Sequence, residues 1–255
     1  KITKKTKAIM PVHIYGHPCY MDEIMELADK HNLYVIEDAA EAHGALYKGK
    51  KAGSFGHVNA FSCYSNKLVT TGEGGVVVTD DDKIAERVRS LKDFCFDKER
   101  RYFHRGIGFK YPMTNIQAAI GLAQLEKIER TIEEKRKMAA TYNKYLKNID
   151  CVTTPFEDKI VKNVYWMYGI LIGKEFGISR DAVKKELYTM GVDTRFFFIG
   201  MHRQPSFKTS EKFPVTDYLS EHGFYLPSST NLTEKQIRYI CDCLAKIKEK
   251  HSQKS

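Results

Sequence analysis

Two short apolar stretches, at residues 8–12 and 33–36, flank residues 21–30, where apolar side chains recur at helical spacing behind the first-turn acid Asp22. The pattern predicts a strand, a helix and a second strand. Short apolar runs without alternation suit strands buried on both faces, and such strands joined by a helix lie parallel in one sheet. Ligands of such sheets bind beyond the carboxyl ends of the strands, so the residues directly after Ile36 are the first place to look for chemistry.

A Gly-rich turn, an apolar run at 58–63, a polar loop and a strand-like stretch at 75–79 follow, the last closing on Asp80-Asp81-Asp82. Residues 116–146 keep a helical period for longer than an ordinary globular helix, with Gly121 inside, and predict a long helix or a broken pair joining two domains. Beyond it the pattern predicts a strand at 164–172, an amphipathic helix at 180–190, a terminal helix at 233–248 and a fraying polar tail at 248–255. The chain thus divides into residues 1–125, part of a large α/β domain, and residues 126–255, a connecting helix with a smaller C-terminal α+β domain.

Composition narrows the classes. A chain of 255 residues that is 42% hydrophobic buries a sizeable core, and no apolar run approaches the roughly 20 residues of a membrane span. Six cysteines are scattered without metal-ligand spacing, so neither a metal site nor a disulfide framework is expected. The net charge of +9 permits a polyanionic partner, but the lysines of residues 126–137 alternate with acids and read as a solvated helix face. No nucleic-acid partner is expected; the excess charge suits a small anionic substrate. The charged opening, residues 1–7, carries no apolar leader, which makes a cytoplasmic setting the expectation. Its abrupt entry into a strand leaves further strands expected upstream.

Ile36-Glu37-Asp38-Ala39-Ala40-Glu41-Ala42-His43-Gly44 places an acid at the end of a buried strand, followed by small residues that let a flat ligand approach the backbone. Asp38 either faces a crevice or caps a following helix. Phe61-Ser62-Cys63-Tyr64-Ser65-Asn66-Lys67 ends another strand and places a lysine at the same sheet edge, where it is either solvated or chemical. The pairing favours chemistry. A lysine forms a Schiff base with an aldehyde cofactor when part of its amine is neutral, and pyridoxal phosphate acts as an electron sink when a carboxylate keeps its ring nitrogen protonated.

The run Glu37-Asp-Ala-Ala-Glu-Ala-His-Gly-Ala45, then Phe61-Ser-x-Tyr-x-x-Lys67 and Thr70-Thr-Gly-Glu-Gly-Gly75, resembles the DegT/DnrJ/StrS family of sugar aminotransferases. Pro11-Val-His-Ile-Tyr-Gly-His-Pro18 and Met113-Thr-Asn-Ile-Gln-Ala-Ala-Ile-Gly-Leu122 extend the likeness. The resemblance implies an aspartate-aminotransferase-like α/β fold of the pyridoxal-phosphate type I class, with a mostly parallel sheet between helices. It implies pyridoxal 5'-phosphate as cofactor, L-glutamate as amino donor, and a nucleotide-linked 4-keto-6-deoxyhexose as acceptor in perosamine-type amino-sugar synthesis. It also implies a homodimer with the site at the subunit junction.

Carried over by residue, Lys67 holds the cofactor and shuttles the proton, Asp38 meets the ring nitrogen, Ser62 the phosphate, and Ala40 lies under the ring. Glu41 falls near the phenolic oxygen or is an exposed helix acid. Lys67 argues for transamination, since dehydratase relatives carry histidine there, and Gly72-Glu73-Gly74-Gly75 favours the fourth sugar carbon over the third. Lys110 and Pro112 depart from the family's Asn and Arg; Lys110 either meets the partner's phosphate as a point charge or is solvated. The family's upstream phosphate-cradling turn has no counterpart in this chain, so an inactive remnant is the contrasting expectation. Arg195 and His202 are candidate substrate contacts, while His13, His17, His43 and His57 read as packed or surface residues; Tyr165, Trp166, Met167 and Tyr168 either line a sugar or base pocket or form core, with core favoured.

Overall fold

The computed structural model describes residues 1–100 and 102–252. In chain order the strands and helices are β1 (Ala8–Ile9), α1 (Met21–His31), β2 (Tyr34–Asp38), β3 (Leu46–Tyr47), β4 (Lys50–Lys51), β5 (Val58–Ser62), β6 (Gly75–Val78), α2 (Asp82–Lys92), α3 (Asn115–Leu125), α4 (Ile128–Leu146), β7 (Val152–Thr153), β8 (Val161–Lys162), β9 (Tyr168–Ile172), α5 (Arg180–Thr189), β10 (Arg195–Phe196), α6 (Pro214–His222), β11 (Gly223–Leu226) and α7 (Glu234–Ser252). They form two compact units: residues 1–132 with 157–166, and residues 133–156 with 167–255.

The first unit is built on a sheet ordered β1-β2-β5-β6, its first three strands parallel and β6 antiparallel. The β1-α1-β2 unit is the one that the apolar spacing predicts. α1 sends Met21 and Ala28 inward against Leu33, Val35 and Tyr47, and it ends where Asn32 adopts the left-handed conformation, φ 50°. α2 begins at Asp81, whose carboxylate accepts from the amides of Lys83 and Ile84, so the acid run after β6 is a helix cap. α3 opens with a reciprocal capping box between Thr114 and Gln117. A second apolar cluster of Ala42, Ala45, Ala52, Ile132 and Val164 lies beneath the turn that follows β2.

β6 and α3 leave apolar surface open. Val76, Val77, Ile116 and Leu122 are exposed beside a groove of about 530 Å³ whose walls include Phe61, Met113 and Leu125. Such a face invites a covering partner.

The second unit holds an antiparallel sheet ordered β10-β11-β9-β7, against which α6 packs, while α5 and α7 pack on each other. Its core stacks Tyr142 on Tyr168 at 4.6 Å and buries Phe176, Leu187, Phe224 and Leu244. The Tyr142 hydroxyl donates to the Pro227 carbonyl, so the buried phenol is satisfied.

One expectation is resolved and three are corrected. The long helical period of residues 116–146 resolves into α3 and α4, broken after Leu125. The face of residues 126–137 is not wholly solvated: Lys135 is buried and donates to the Ser228 carbonyl, and burial pushes its amine down to about 7. The strand expected over 164–172 starts only at Tyr168, because Tyr165 takes a left-handed backbone, φ 47°, with its amide bonded to Asn163 Oδ1. At the other end α7 runs to Ser252, held there by Lys250 and His251 against Glu186; residues 253–255 of the expected tail lie outside the described residues.

Candidate active site

β2 and β5 pair side by side, with Asp38 opposite Ala60 in register, so their carboxyl ends open at one edge. The turn after β2 carries Asp38, Ala40 and Glu41; the loop after β5 carries Ser62 and Lys67. Asp38 Oδ1 accepts from the Ala40 amide at 3.1 Å, the local bond that a cap-like aspartate makes, yet no helix follows it. Ser62 Oγ accepts from the Tyr64 amide at 3.2 Å and shapes the turn into the lysine loop.

Lys67 Nζ lies 3.5 Å from Glu41 Oε1, both side chains 10% exposed. Glu41 is therefore not an exposed helix acid. Its Oε2 accepts from the Tyr15 amide at 2.6 Å, and Tyr15 offers that amide from a left-handed backbone, φ 57°. Burial pushes the Glu41 carboxyl up; the Tyr15 amide and Lys67 pull against it, Asp38 adds to the rise, and the balance lies above the usual glutamate range. Lys67 Nζ also sits 3.8 Å from the centre of the Trp166 ring. Asp38 and Lys67 thus act on one carboxylate from the ends of two strands.

Beneath this edge a pin holds β2 in place. Glu37, fully buried, accepts from His13 Nε2 at 2.8 Å and from the amides of Gly53, Phe55 and Gly56 at 2.6–2.7 Å. Burial favours the neutral acid, but His13 and the three amides outweigh it and hold the Glu37 carboxyl below its ordinary value. Glu37 points away from the solvent edge as Asp38 points toward it, the alternation a strand imposes.

His43 is 7% exposed, and neither ring nitrogen has a hydrogen-bond partner among the described residues. Burial, with help from the Lys67 charge, pushes its imidazole down from an ordinary 6.5 to about 4. The neutral ring is favoured in the folded state while the unfolded chain takes up a proton below 6.5. His43 therefore contributes stability that is complete above pH 6.5 and lost as pH falls toward 4, on the order of 3 kcal/mol. In urea unfolding followed between pH 7 and 4, His43→Leu is expected to flatten this part of the profile; an unchanged slope counts against it.

Lys110, Arg195 and His202 have other partners. The Lys110 backbone bridges Asp93, its side chain is exposed, and no hydrogen bond or ion pair among the described residues joins it to Glu41 or Lys67. Arg195 and His202 belong to the second unit, where Arg195 pairs with Tyr225 across the sheet and His202 Nε2 meets Asp217 Oδ1 at 3.0 Å. Sequence reading favoured core for Trp166 and gave no role to Tyr15 or Glu37. Tyr15, inside the Pro11–Pro18 motif, and Glu37, at the head of the Glu37–Ala45 run, carried a signal.

Among the described residues no group of three or more His, Cys, Asp and Glu is placed to hold a metal, and no helix is long and apolar enough to cross a membrane. A largely buried amine against a carboxylate, beyond the carboxyl ends of parallel strands, suits carbonyl chemistry in an α/β fold. The chain belongs to the DegT/DnrJ/EryC1/StrS aminotransferase family, whose model matches residues 1–245.

It is 42% identical over 249 residues to GDP-perosamine synthase of Caulobacter vibrioides, covering 96% of this chain and 67% of that protein. It is 44% identical over 245 residues to GDP-perosamine synthase of Escherichia coli O157:H7, covering 96% and 66%. The crystal structure of DesI with its TDP-sugar product superposes with a TM-score of 0.90 at 32% identity, over 99% of this chain and 65% of that one. The expected α/β fold of the sugar aminotransferases is thereby established. The chain spans about two thirds of the length of these relatives.

Proposed function

We propose that this chain carries the lysine and aspartate of a nucleotide-sugar aminotransferase that uses pyridoxal 5'-phosphate to move the amino group of L-glutamate to the 4-keto carbon of a GDP-linked 4-keto-6-deoxyhexose. The pairing of Lys67 with Glu41 beside Asp38, at the ends of two parallel strands, is the observation that carries the reading. The likeness to two GDP-perosamine synthases supports the choice of sugar carbon and nucleotide.

The residues fit the cofactor. Lys67 offers the amine, Asp38 a carboxylate for a protonated ring nitrogen, Ala40 a small surface beneath a flat ring, and Ser62 a hydroxyl at the opening of the loop. When bound, the cofactor supplies an electron sink for charge that develops on the amino-bearing carbon. Glu41 Oε1, its carboxyl already raised, accepts a proton from Lys67 Nζ and releases a nucleophilic amine. With its amine free, Lys67 Nζ would move the proton that the transfer of the amino group requires. Asp38 would keep the ring nitrogen protonated, and that positive charge would offset negative charge developing in the ring.

The same proposal includes a homodimer in the cytoplasm, with Lys110 reaching a phosphate of the second copy. The open apolar face of β6 and α3 supports a covering partner.

The test mixes the chain with pyridoxal 5'-phosphate, fixes any adduct with borohydride and maps it. It then supplies L-glutamate and GDP-4-keto-6-deoxymannose and follows the sugar by NMR. An adduct at Lys67, with an amine at the fourth carbon matched by 2-oxoglutarate, is the expected outcome. An adduct spread over surface lysines defeats the cofactor reading, and amination at the third carbon defeats the substrate reading alone.

A further inference from the structure

Trp166 is the chain's single tryptophan, and it is only 5% exposed. Core packing would explain its burial. It would not explain the rest of its surroundings.

The Lys67 ammonium lies 3.8 Å from the indole centre, well inside the range over which a cation is drawn to an aromatic face. The indole N–H donates to the carbonyl of Asn66 at 2.8 Å, anchoring the loop one residue before the lysine. Tyr15 stacks on the indole at 6.4 Å and 21°, and the Tyr15 amide grips Glu41, the other group against Lys67. The backbone that delivers the indole passes through left-handed Tyr165, whose amide is held by Asn163 Oδ1 and whose hydroxyl donates to Glu157 Oε2. A tyrosine in that conformation is unfavourable alone and persists because its surroundings over-determine it.

We propose that Trp166 is a positioning residue for Lys67: the indole face on one side and the Glu41 carboxylate on the other hold the lysine in one orientation whenever its amine is not covalently engaged. What Lys67 then reacts with rests on the function proposed above; the grip itself does not. A lysine side chain free to turn samples many rotamers, and fixing it in advance leaves less to order when a carbonyl arrives. An aliphatic residue at 166 fills space without attracting a cation, whereas a phenyl ring keeps part of the attraction.

Two measurements test it. In the chain without cofactor, the emission of Trp166 is expected to change in Lys67→Met, since the only indole loses its adjacent charge. Identical spectra across the pH range overturn the contact. In the second measurement, Trp166→Phe and Trp166→Leu are compared with the unaltered chain after far-UV circular dichroism and melting establish their folding. Each is exposed to pyridoxal 5'-phosphate and borohydride, and the share of adduct at Lys67 is read by peptide mapping. Trp166→Leu is expected to lower that share roughly fivefold and Trp166→Phe by less, the ranking of cation attraction. An unchanged share in folded Trp166→Leu overturns the proposal. If the unaltered chain fixes no cofactor at Lys67, the cofactor reading fails, and the emission measurement still decides the role of Trp166.

Discussion

Replacing Lys67 with alanine is expected to abolish the visible absorption band that covalently held pyridoxal phosphate gives, to remove the borohydride-fixed adduct at this position, and to lower transamination by a factor on the order of 10⁴. The reason is that one amine serves two roles. On the proposed mechanism it would anchor the cofactor and, when free, would carry the proton between two carbons. On the proposed mechanism Glu41, 3.5 Å away and raised by burial, takes the amine's proton, but a carboxylate forms no Schiff base and does not replace the lysine. Added small primary amines are expected to restore part of the rate in Lys67→Ala by standing in for the missing side chain. A Lys67→Ala protein that keeps both the band and the turnover sinks the assignment, and with it the proposed mechanism.

The second large effect concerns stability. Glu37→Ala is expected to destabilise the first unit by about 3–5 kcal/mol, read as a lower midpoint in urea with an unchanged slope. The substitution leaves the buried amide of Gly53, the half-buried amides of Phe55 and Gly56, and the ring of buried His13 without their acceptor. Glu37→Gln fares little better, since its NH₂ would face donors. The pH dependence follows from the same geometry. Because the folded state holds the Glu37 carboxyl below its ordinary value, this stability is present above about pH 4.5 and is lost as pH falls through the lowered value. Glu37→Ala should therefore remove an acid-side loss as well as stability at neutral pH. A variant as stable as the parent would show that loop 53–56 and β2 hold together without the pin.

Some of this was legible in the residues. The β1-α1-β2 unit follows from apolar spacing, and the acid after β2 and the lysine after β5 follow from where parallel strands end. The broken helix at Leu125 was open as an alternative, since Gly121 and the charged stretch that follows weaken the period. Trp166 was not legible. Its stretch has the composition of a strand, and what makes it turn is Tyr165, forced left-handed by a side-chain bond from Asn163 that no periodicity reports. Lys135 was equally hidden: a lysine among alternating charges reads as solvated until the fold brings the Ser228 carbonyl over it.

Local pattern determined the strand-helix order and singled out the two residues on which the proposed chemistry turns, because periodicity and strand ends are properties of neighbours in sequence. Tertiary structure alone decided that Glu41 faces Lys67, that Trp166 lies beneath it and that Glu37 is a pin rather than a catalyst. Those contacts join residues 13–16, 37–41, 53–56, 66–67 and 163–166, and burial supplies the low dielectric that gives each its charge state.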